Sequence, residues 1–217
     1  MRKFFGLRIF FGIIFFATQA AALDLVILGG PAISEPSFSQ GSVPSDAITD
    51  SAIASGVGFT FGALVRLPLS ADFQLETGLT YLQRNYTISV IGTTDYSFDE
   101  TLKGIHIPVL IRAHVVDYLS VGLGGYLVHE LGDVYDTNVR VDGQGQADAA
   151  NSYNQNQYNR NDLGLEGSIA YDLPLSNGYS ATVDIRYLLG MTDFGAGSST
   201  AVKSRDVLFM AGLKFAI

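Results

Sequence analysis

The residues of this chain best suited to catalysis or metal binding are its three histidines and the acidic residues near them. His129 precedes Glu130, and a histidine beside an acid activates a hydroxyl nucleophile in many hydrolases. No nucleophile motif accompanies the pair, and a catalytic site depends on neighbours in space. The sequence therefore predicts a solvated histidine at a strand end and assigns no catalytic residue.

Metal chemistry would need more ligands than the sequence brings together. His106 and His114 share one row of an alternating segment, but a zinc site needs a further ligand that the spacing does not supply. Asp133, Asp136 and Asp142 lie in one polar segment, yet their spacing does not match a calcium-binding loop. We expect no metal site and no cofactor, and we expect both histidines to join a network of interior polar groups.

An alternation of apolar and polar residues runs through most of the chain and is typical of strands with two different faces. Val57, Phe59 and Phe61 share one face of such a segment, and Thr60 lies on the other. Most segments exceed the roughly 5–6 residues of a globular strand and reach the ~9–11 residues of a tilted membrane strand. Eight strands are predicted, at residues 23–33, 55–67, 73–88, 102–115, 119–131, 162–173, 179–191 and 204–217.

Short and long connections alternate between these strands. The tetrapeptide Leu-Pro-Leu-Ser occurs at residues 67–70 and again at 173–176, where proline can end a strand without costing a ladder hydrogen bond. The other connections are long and polar, and the longest contains a run of low complexity at residues 151–159. Short turns at one rim and long loops at the other indicate a transmembrane barrel. The predicted fold class is all-β, an eight-stranded antiparallel up-and-down transmembrane barrel.

The amino-terminal residues have the layout of a secretory signal. A basic start is followed by an apolar run at residues 9–16 and by small residues that end at Ala22. We predict a signal peptide at residues 1–22 and an outer-membrane β-barrel domain at residues 23–217. An uncleaved anchor is the alternative, but the apolar run is shorter than the roughly 18 residues that span a bilayer.

The charge of the chain is acidic and is concentrated in the predicted connections. The formal net charge is −8, and it becomes −11 once the three basic residues of the predicted signal peptide are removed. Most of this charge falls at residues 34–54, 89–101 and 132–162. Acidic loops argue against nucleic acid as a partner. The chain has no cysteine, so neither a disulfide nor a thiolate metal site holds the fold.

The alternation assigns the charged side chains of the strands to the barrel interior and the large apolar ones to the lipid. Charged residues are only 16% of the chain, which is low for a soluble surface, so a soluble lipophile-binding barrel is the less favoured alternative. Side chains about fill an eight-stranded barrel, so we expect a polar plug and no open pore. The predicted interior polar network comprises Arg66, Glu76, Arg112, Glu166, Asp184, Arg186 and Lys214. The predicted aromatic girdle comprises Tyr81, Tyr86, Tyr118, Tyr171, Tyr179 and Tyr187.

Two consecutive segments carry a family resemblance. Residues 104–112 read GIHIPVLIR, and residues 119–127 read LSVGLGGYL. This pattern resembles the outer-membrane β-barrel domain family that includes PorT-like proteins, and the general layout is similar to the small barrels OmpX, OmpA and OmpW. Barrels of this kind usually end in an aromatic residue, whereas Phe215 lies two places before the end here. The resemblance implies an integral protein of the bacterial outer membrane.

The function expected from these features is non-enzymatic. A barrel with a filled interior and acidic surface loops fits recognition, adhesion or structural support of the envelope. The alternatives are transport of small hydrophobic molecules through a lateral opening and a lipid-modifying barrel hydrolase. The expected partners are outer-membrane lipids, lipopolysaccharide, the barrel-assembly machinery and an unknown extracellular or periplasmic protein, with no nucleic acid.

Overall fold

The computed structural model describes residues 23–40, 48–92, 96–131, 138–141, 144–145, 160–176, 178–193 and 200–217. The predicted signal peptide at residues 1–22 and the run at residues 151–159 lie outside these ranges. The strands within them are β1 (Asp24–Ser34), β2 (Ser37–Gln40), β3 (Ile48–Pro68), β4 (Phe73–Gly92), β5 (Tyr96–Val116), β6 (Leu119–Glu130), β7 (Asn138–Val141), β8 (Gln144–Gly145), β9 (Asn161–Pro174), β10 (Tyr179–Gly190), β11 (Thr200–Lys203) and β12 (Arg205–Ala216).

Eight of these strands close into one barrel. Its order around the wall is β1, β3, β4, β5, β6, β9, β10 and β12, and every neighbouring pair is antiparallel. The first and last strands pair with each other, with Asp24 opposite Ala216. Closure leaves no strand edge, as a sheet in hydrocarbon requires. The predicted eight-stranded up-and-down barrel is confirmed.

The two faces of the wall differ as the alternation predicts. Val57, Phe59 and Phe61 point outward and are 63%, 44% and 55% exposed. Thr60 and Leu64, on the opposite face of the same strand, are buried. Large apolar side chains therefore cover the outside, where lipid replaces water as the solvent.

Tight turns close one end of the barrel, which we call the short-turn rim. At the first Leu-Pro-Leu-Ser copy, the amides of Leu69 and Ser70 donate to the carbonyl of Phe73. The second copy is closed by a bond from the Leu175 amide to the Tyr179 carbonyl, and Gly178 adopts a φ of 80°. Glycine takes that conformation without steric cost. Both copies are hairpin turns at the same rim, as predicted.

At the opposite rim, three adjacent strands rise above the others. Strands β3, β4 and β5 have 21, 20 and 21 residues, whereas β1, β6, β10 and β12 have 11 or 12. We call residues 48–55, 86–92 and 96–100 of these strands the extension sheet. The prediction that residues 34–54 and 89–101 are polar connections is wrong for those residues that belong to the extension sheet. Cross-strand pairing with a neighbouring long strand overrides the weak local preference of these polar residues.

The β1–β12 seam allows a direct test of how tightly the wall is packed. A Cβ atom added to Gly212 would lie 1.9 Å from the Ile27 carbonyl oxygen, whereas one added to Gly167 would meet nothing within 4 Å. Gly212→Ala is expected to lower the free energy of unfolding by about 1–3 kcal/mol, because the seam must shift to accept the methyl group. Urea unfolding in detergent micelles, followed by heat-shifted gel migration, measures this change. Gly167→Ala is the control, and equal losses in both variants would contradict the packing argument.

Candidate functional site in the barrel interior

A carboxylate surrounded by three guanidinium groups lies at the centre of the barrel interior. Glu76 accepts hydrogen bonds from Arg66 Nε at 2.7 Å, Arg186 Nη2 at 2.7 Å and Arg112 Nε and Nη2 at 3.0 Å each. All four side chains are at most 1% exposed. They come from strands β3, β4, β5 and β10, so this contact ties opposite walls of the barrel together. Charge-assisted bonds of this kind are the strong ones in proteins.

Two further carboxylates complete the surroundings of the arginines. Asp184 accepts from Arg186 Nη2 at 2.7 Å and from Arg112 Nη2 at 3.3 Å. Glu166 accepts from Arg186 Nη1 at 2.8 Å, and its other oxygen lies 2.9 Å from His106 Nε2. The hydroxyl of Thr80 lies 2.8 Å from His106 Nδ1. A buried charge is tolerated only when paired and hydrogen-bonded, and each of these side chains meets that requirement.

The network continues to the short-turn rim. Asp172 accepts from Arg66 Nη1 at 2.9 Å, from Lys214 Nζ at 2.8 Å and from the Thr182 hydroxyl at 2.7 Å. Lys214 also lies 3.8 Å from Asp24 and is 19% exposed, so the network meets solvent there. We call the connected groups the lower cluster: Arg66, Glu76, Thr80, His106, Arg112, Glu166, Asp172, Thr182, Asp184, Arg186 and Lys214.

The lower cluster contains all seven residues that the sequence assigned to the interior. Its four basic side chains face four carboxylates, those of Glu76, Glu166, Asp172 and Asp184. Of the two histidines expected to join the network, His106 does so. His114 Nδ1 has no hydrogen-bond partner among the described residues, so His114 does not join through that atom.

A second group of polar side chains fills the interior near the opposite rim, and the sequence prediction did not include it. Asp162 Oδ2 accepts from Arg84 Nη2 at 2.8 Å, from the Ser204 hydroxyl at 2.6 Å and from the Tyr126 hydroxyl at 3.2 Å. Arg84 Nε also donates to Asp206 Oδ2 at 2.9 Å. We call these five residues the upper cluster. Arg84 has the same even parity as Glu76 on β4, and this signal would have placed it inside.

Buried apolar side chains line the same interior, and we call them the apolar belt. Its buried side chains form one contact cluster: Val26, Leu28, Ala32, Leu64, Leu82, Tyr126, Val128, Leu188, Leu208 and Met210. Tyr126 belongs to this belt and contacts both clusters. Its ring centroid lies 5.7 Å from that of His106, and its hydroxyl donates to Asp162. Buried side chains therefore line the described interior from the short-turn rim to the upper cluster.

Five of the six tyrosines assigned to the girdle point outward. The Tyr118 and Tyr171 rings lie 6.4 Å apart near the short-turn rim, and Tyr179 packs against Phe215 at 5.4 Å. Tyr81 packs against Phe59 and Phe61, and Tyr187 is 47% exposed. Tyr86 is a correction, because it is only 5% exposed. Its even parity places it on the inner face of β4 with Arg84.

The candidates for catalysis and metal binding lie in different parts of the barrel or outside the described residues. His129 is exposed, and its Nδ1 lies 2.9 Å from Asn161 Oδ1. Asp133, Asp136 and Asp142 lie outside the described residues. Across the ranges the structure describes, no group of three or more His, Asp or Glu side chains is arranged to hold a metal ion. The same ranges contain no helix long and apolar enough to cross a membrane.

The family match decides what this barrel is. The family model for the outer membrane protein beta-barrel domain matches residues 19–195. The chain belongs to this family. The protein therefore lies in the bacterial outer membrane. In outer-membrane barrels the short turns face the periplasm, so the upper cluster and the extension sheet lie towards the cell exterior.

Several solved outer-membrane barrels are similar to this family member. The crystal structure of OprG from Pseudomonas aeruginosa has 13% identity and a TM-score of 0.47, over 91% of this chain and 97% of that one. The solid-state NMR structure of AlkL in lipid bilayers has 12% identity and a TM-score of 0.49, over 91% of each chain. Ail of Yersinia pestis has 13% identity and a TM-score of 0.35, over 88% and 98%. The chain matches none of the curated proteins.

The charge-pairing in the lower cluster can be tested with an isosteric change. Glu76→Gln keeps the shape of the side chain but leaves three guanidinium groups without their shared counter-charge. We expect a loss of about 3–5 kcal/mol in the free energy of unfolding, the typical cost of breaking a buried ion pair. Urea unfolding in micelles measures the loss. Asp24→Asn, at the solvent-accessible rim, is expected to change it by only about 0–1 kcal/mol. If both variants behave alike, the central role of Glu76 is refuted.

The extension sheet is expected to weaken as pH rises. Burial raises the pKa of the Glu100 carboxyl above its ordinary value, although a hydrogen bond with Tyr86 opposes the shift. Because the pKa of Glu100 is higher in the folded state than in the unfolded state, the contribution of this carboxyl to the stability of the extension sheet is fully present below about pH 4.3. It is lost as the carboxyl ionises at higher pH. Amide hydrogen exchange in residues 86–92 and 96–100, corrected for intrinsic rates, measures this loss. Glu100→Gln should remove the pH dependence and Glu35→Gln, at an exposed site, should preserve it; a retained dependence in Glu100→Gln contradicts the assignment.

Proposed function

We propose that this family member is a non-enzymatic outer-membrane barrel that presents its extension sheet and acidic loops to an extracellular partner. Recognition or adhesion is the role, and the barrel is the anchor. The observation that carries the proposal is the filled interior beneath a sheet that rises on one side of the barrel.

The filled interior argues against passage of solutes along the barrel axis. The lower cluster, the apolar belt and the upper cluster share the interior, and their largest side chains are almost completely buried. Moving Arg186 out of the way would break its bonds to Glu76, Glu166 and Asp184 together. Breaking a buried ion pair is costly, so these side chains act as a fixed plug.

The extension sheet supplies the surface. Strand β3 pairs with β1 only as far as Gly56, opposite Ser34, so residues 48–55 continue beyond the end of β1. At about 3.3 Å per residue, these eight residues reach roughly 26 Å farther. Paired strands hold the surface in a defined shape, and the Thr87 hydroxyl donates to Asp99 across β4 and β5 at 2.7 Å.

Shortening the extension sheet tests the proposal without disturbing the barrel. Tyr86 and Glu100 are cross-strand partners, so residues 87–99 can be replaced by an Asn-Gly turn that joins them. Cells that display the full chain are expected to adhere to surfaces coated with extracellular-matrix protein, and cells that display the shortened chain are expected to lose this adhesion. Heat-shifted migration of both proteins verifies that the barrels fold. Equal adhesion by the two chains would overturn the recognition role.

Two further measurements separate this proposal from the alternatives. In planar bilayers the purified full chain is expected to give no conductance steps, because the interior is plugged. Uptake of an apolar fluorescent probe into proteoliposomes would instead favour lateral transport of small hydrophobic molecules. Phospholipid or lipid A hydrolysis that is lost in a folded His129→Ala variant would favour the barrel hydrolase.

A further inference from the structure

Exposed basic side chains lie at only one rim of the described barrel. Five of the basic side chains whose exposure the structure describes belong to the two interior clusters. The exposed ones, all at the extracellular rim, are those of Lys103, Arg160, Lys203 and Arg205. At the short-turn rim, the exposed charged side chains of the described residues are the acidic Asp72 and Asp117. The described wall therefore meets its membrane with positive charge at the outer leaflet.

Two of these cations flank the end of the same strand. The Lys103 carbonyl accepts from the Leu131 amide at 2.7 Å, and the Arg160 carbonyl accepts from the Glu130 amide at 2.8 Å. Because Glu130 and Leu131 are consecutive, Lys103 and Arg160 lie level with each other on either side of β6. Strands two places apart in a sheet are separated by about 10 Å, so two long side chains at these positions can contact one ligand.

His129 lies between the two cations. Its neighbours across the sheet are Ile105 on β5 and Asn161 on β9. The 2.9 Å contact of its Nδ1 with Asn161 Oδ1 holds the exposed imidazole against β9. We call Lys103, His129, Arg160 and Asn161 the rim site, and they form one polar patch on three adjacent strands.

The rim site lies directly above the apolar surface that faces lipid. On β5, Val109 and Ile111 share the outer row with Lys103 and are 44% and 47% exposed. On β9, Leu163 and Leu165 continue the outer row and are 49% and 50% exposed. Lysine and arginine stems lie along apolar surface while their charges reach polar surroundings. The cations of the rim site are therefore placed at the level of the lipid headgroups.

The acidic side chains described near the rim site lie inside it, above it or beside it. Glu130 interacts with Arg160, but its side chain is only 7% exposed, on the inner face of β6. Asp99 lies four residues farther out on β5, where it is hydrogen-bonded to the neighbouring strand. Asp193 follows β10, on the far side of β9 from β6. The fully charged groups of the site itself are those of Lys103 and Arg160, and both are positive.

We propose that the rim site binds the phosphate groups of lipopolysaccharide, the anionic lipid of the outer leaflet. Guanidinium and ammonium groups form strong charge-assisted hydrogen bonds with phosphate oxygens. A lipid also uses the apolar rows below the site, because its acyl chains cover Val109 and Leu163 while its phosphates contact the cations. A soluble phosphate would leave that apolar surface unused. The site goes beyond the recognition role of the extension sheet.

Titration of the isotope-labelled full chain in micelles with bisphosphorylated lipid A, in the presence of EDTA, tests the proposal. We expect saturable shifts of the backbone amides of Lys103, His129 and Asn161. Lipid A without phosphates is expected to bind about thirtyfold more weakly, because both charge contacts are lost. Phosphatidylglycerol has one phosphate and is expected to bind about fivefold more weakly. Equal affinity for lipid A and phosphatidylglycerol would overturn the assignment to lipopolysaccharide.

Two variants connect the binding to the named cations. Lys103→Gln and Arg160→Gln each remove one exposed charge and should each weaken lipid A binding about fivefold. Lys203→Gln is the matched control, because Lys203 is an exposed cation of the same rim that lies on β11, outside the site. Heat-shifted migration verifies folding. Equal losses in all three variants would mean diffuse attraction to the membrane surface, and that result, or an absence of saturable shifts, would refute the proposal.

Discussion

The structure depends on one constraint, that a sheet in hydrocarbon must satisfy all its backbone hydrogen bonds within itself. Closure meets this constraint and creates an interior that eight strands leave just wide enough for side chains. Polar side chains that cannot face lipid point into this interior and have to pair with one another there. The bonds between Glu76 and three arginines are such pairs. Lipid outside and charge inside are thus two results of the same requirement.

The two polar clusters of the interior differ in how their charges are paired. In the lower cluster each carboxylate has basic or hydroxyl partners, and guanidinium groups provide the several donors that such a network needs. The upper cluster places one arginine between two aspartates. Tyr126 contacts both clusters. One part of the interior is therefore suited to holding the barrel together and the other to contact with the exterior.

Alternation made most of the barrel predictable from the sequence. The seven charged residues that the sequence assigned to the interior lie there, since parity along a strand fixes the side of the wall. The same rule would have placed Arg84 and Tyr86 inside, and overlooking their parity caused both errors. The extension sheet could not be read in this way. Its polar residues have little strand preference of their own, and they are strands because long neighbours pair with them.

The seam between β1 and β12 has a consequence for how the molecule forms. Along the rest of the wall each strand pairs with the barrel strand next to it in the chain. At the seam, Leu23 and Ile217 exchange two backbone hydrogen bonds although they lie at opposite ends of the described sequence. Contacts between residues far apart in sequence form slowly, because loop-closure entropy has to be overcome first. Hairpins can assemble locally in any order, whereas the seam can form only when the last strand is present. Sealing the cylinder is accordingly the natural final step of its folding, and until then β1 and β12 are open edges that need protection from other chains.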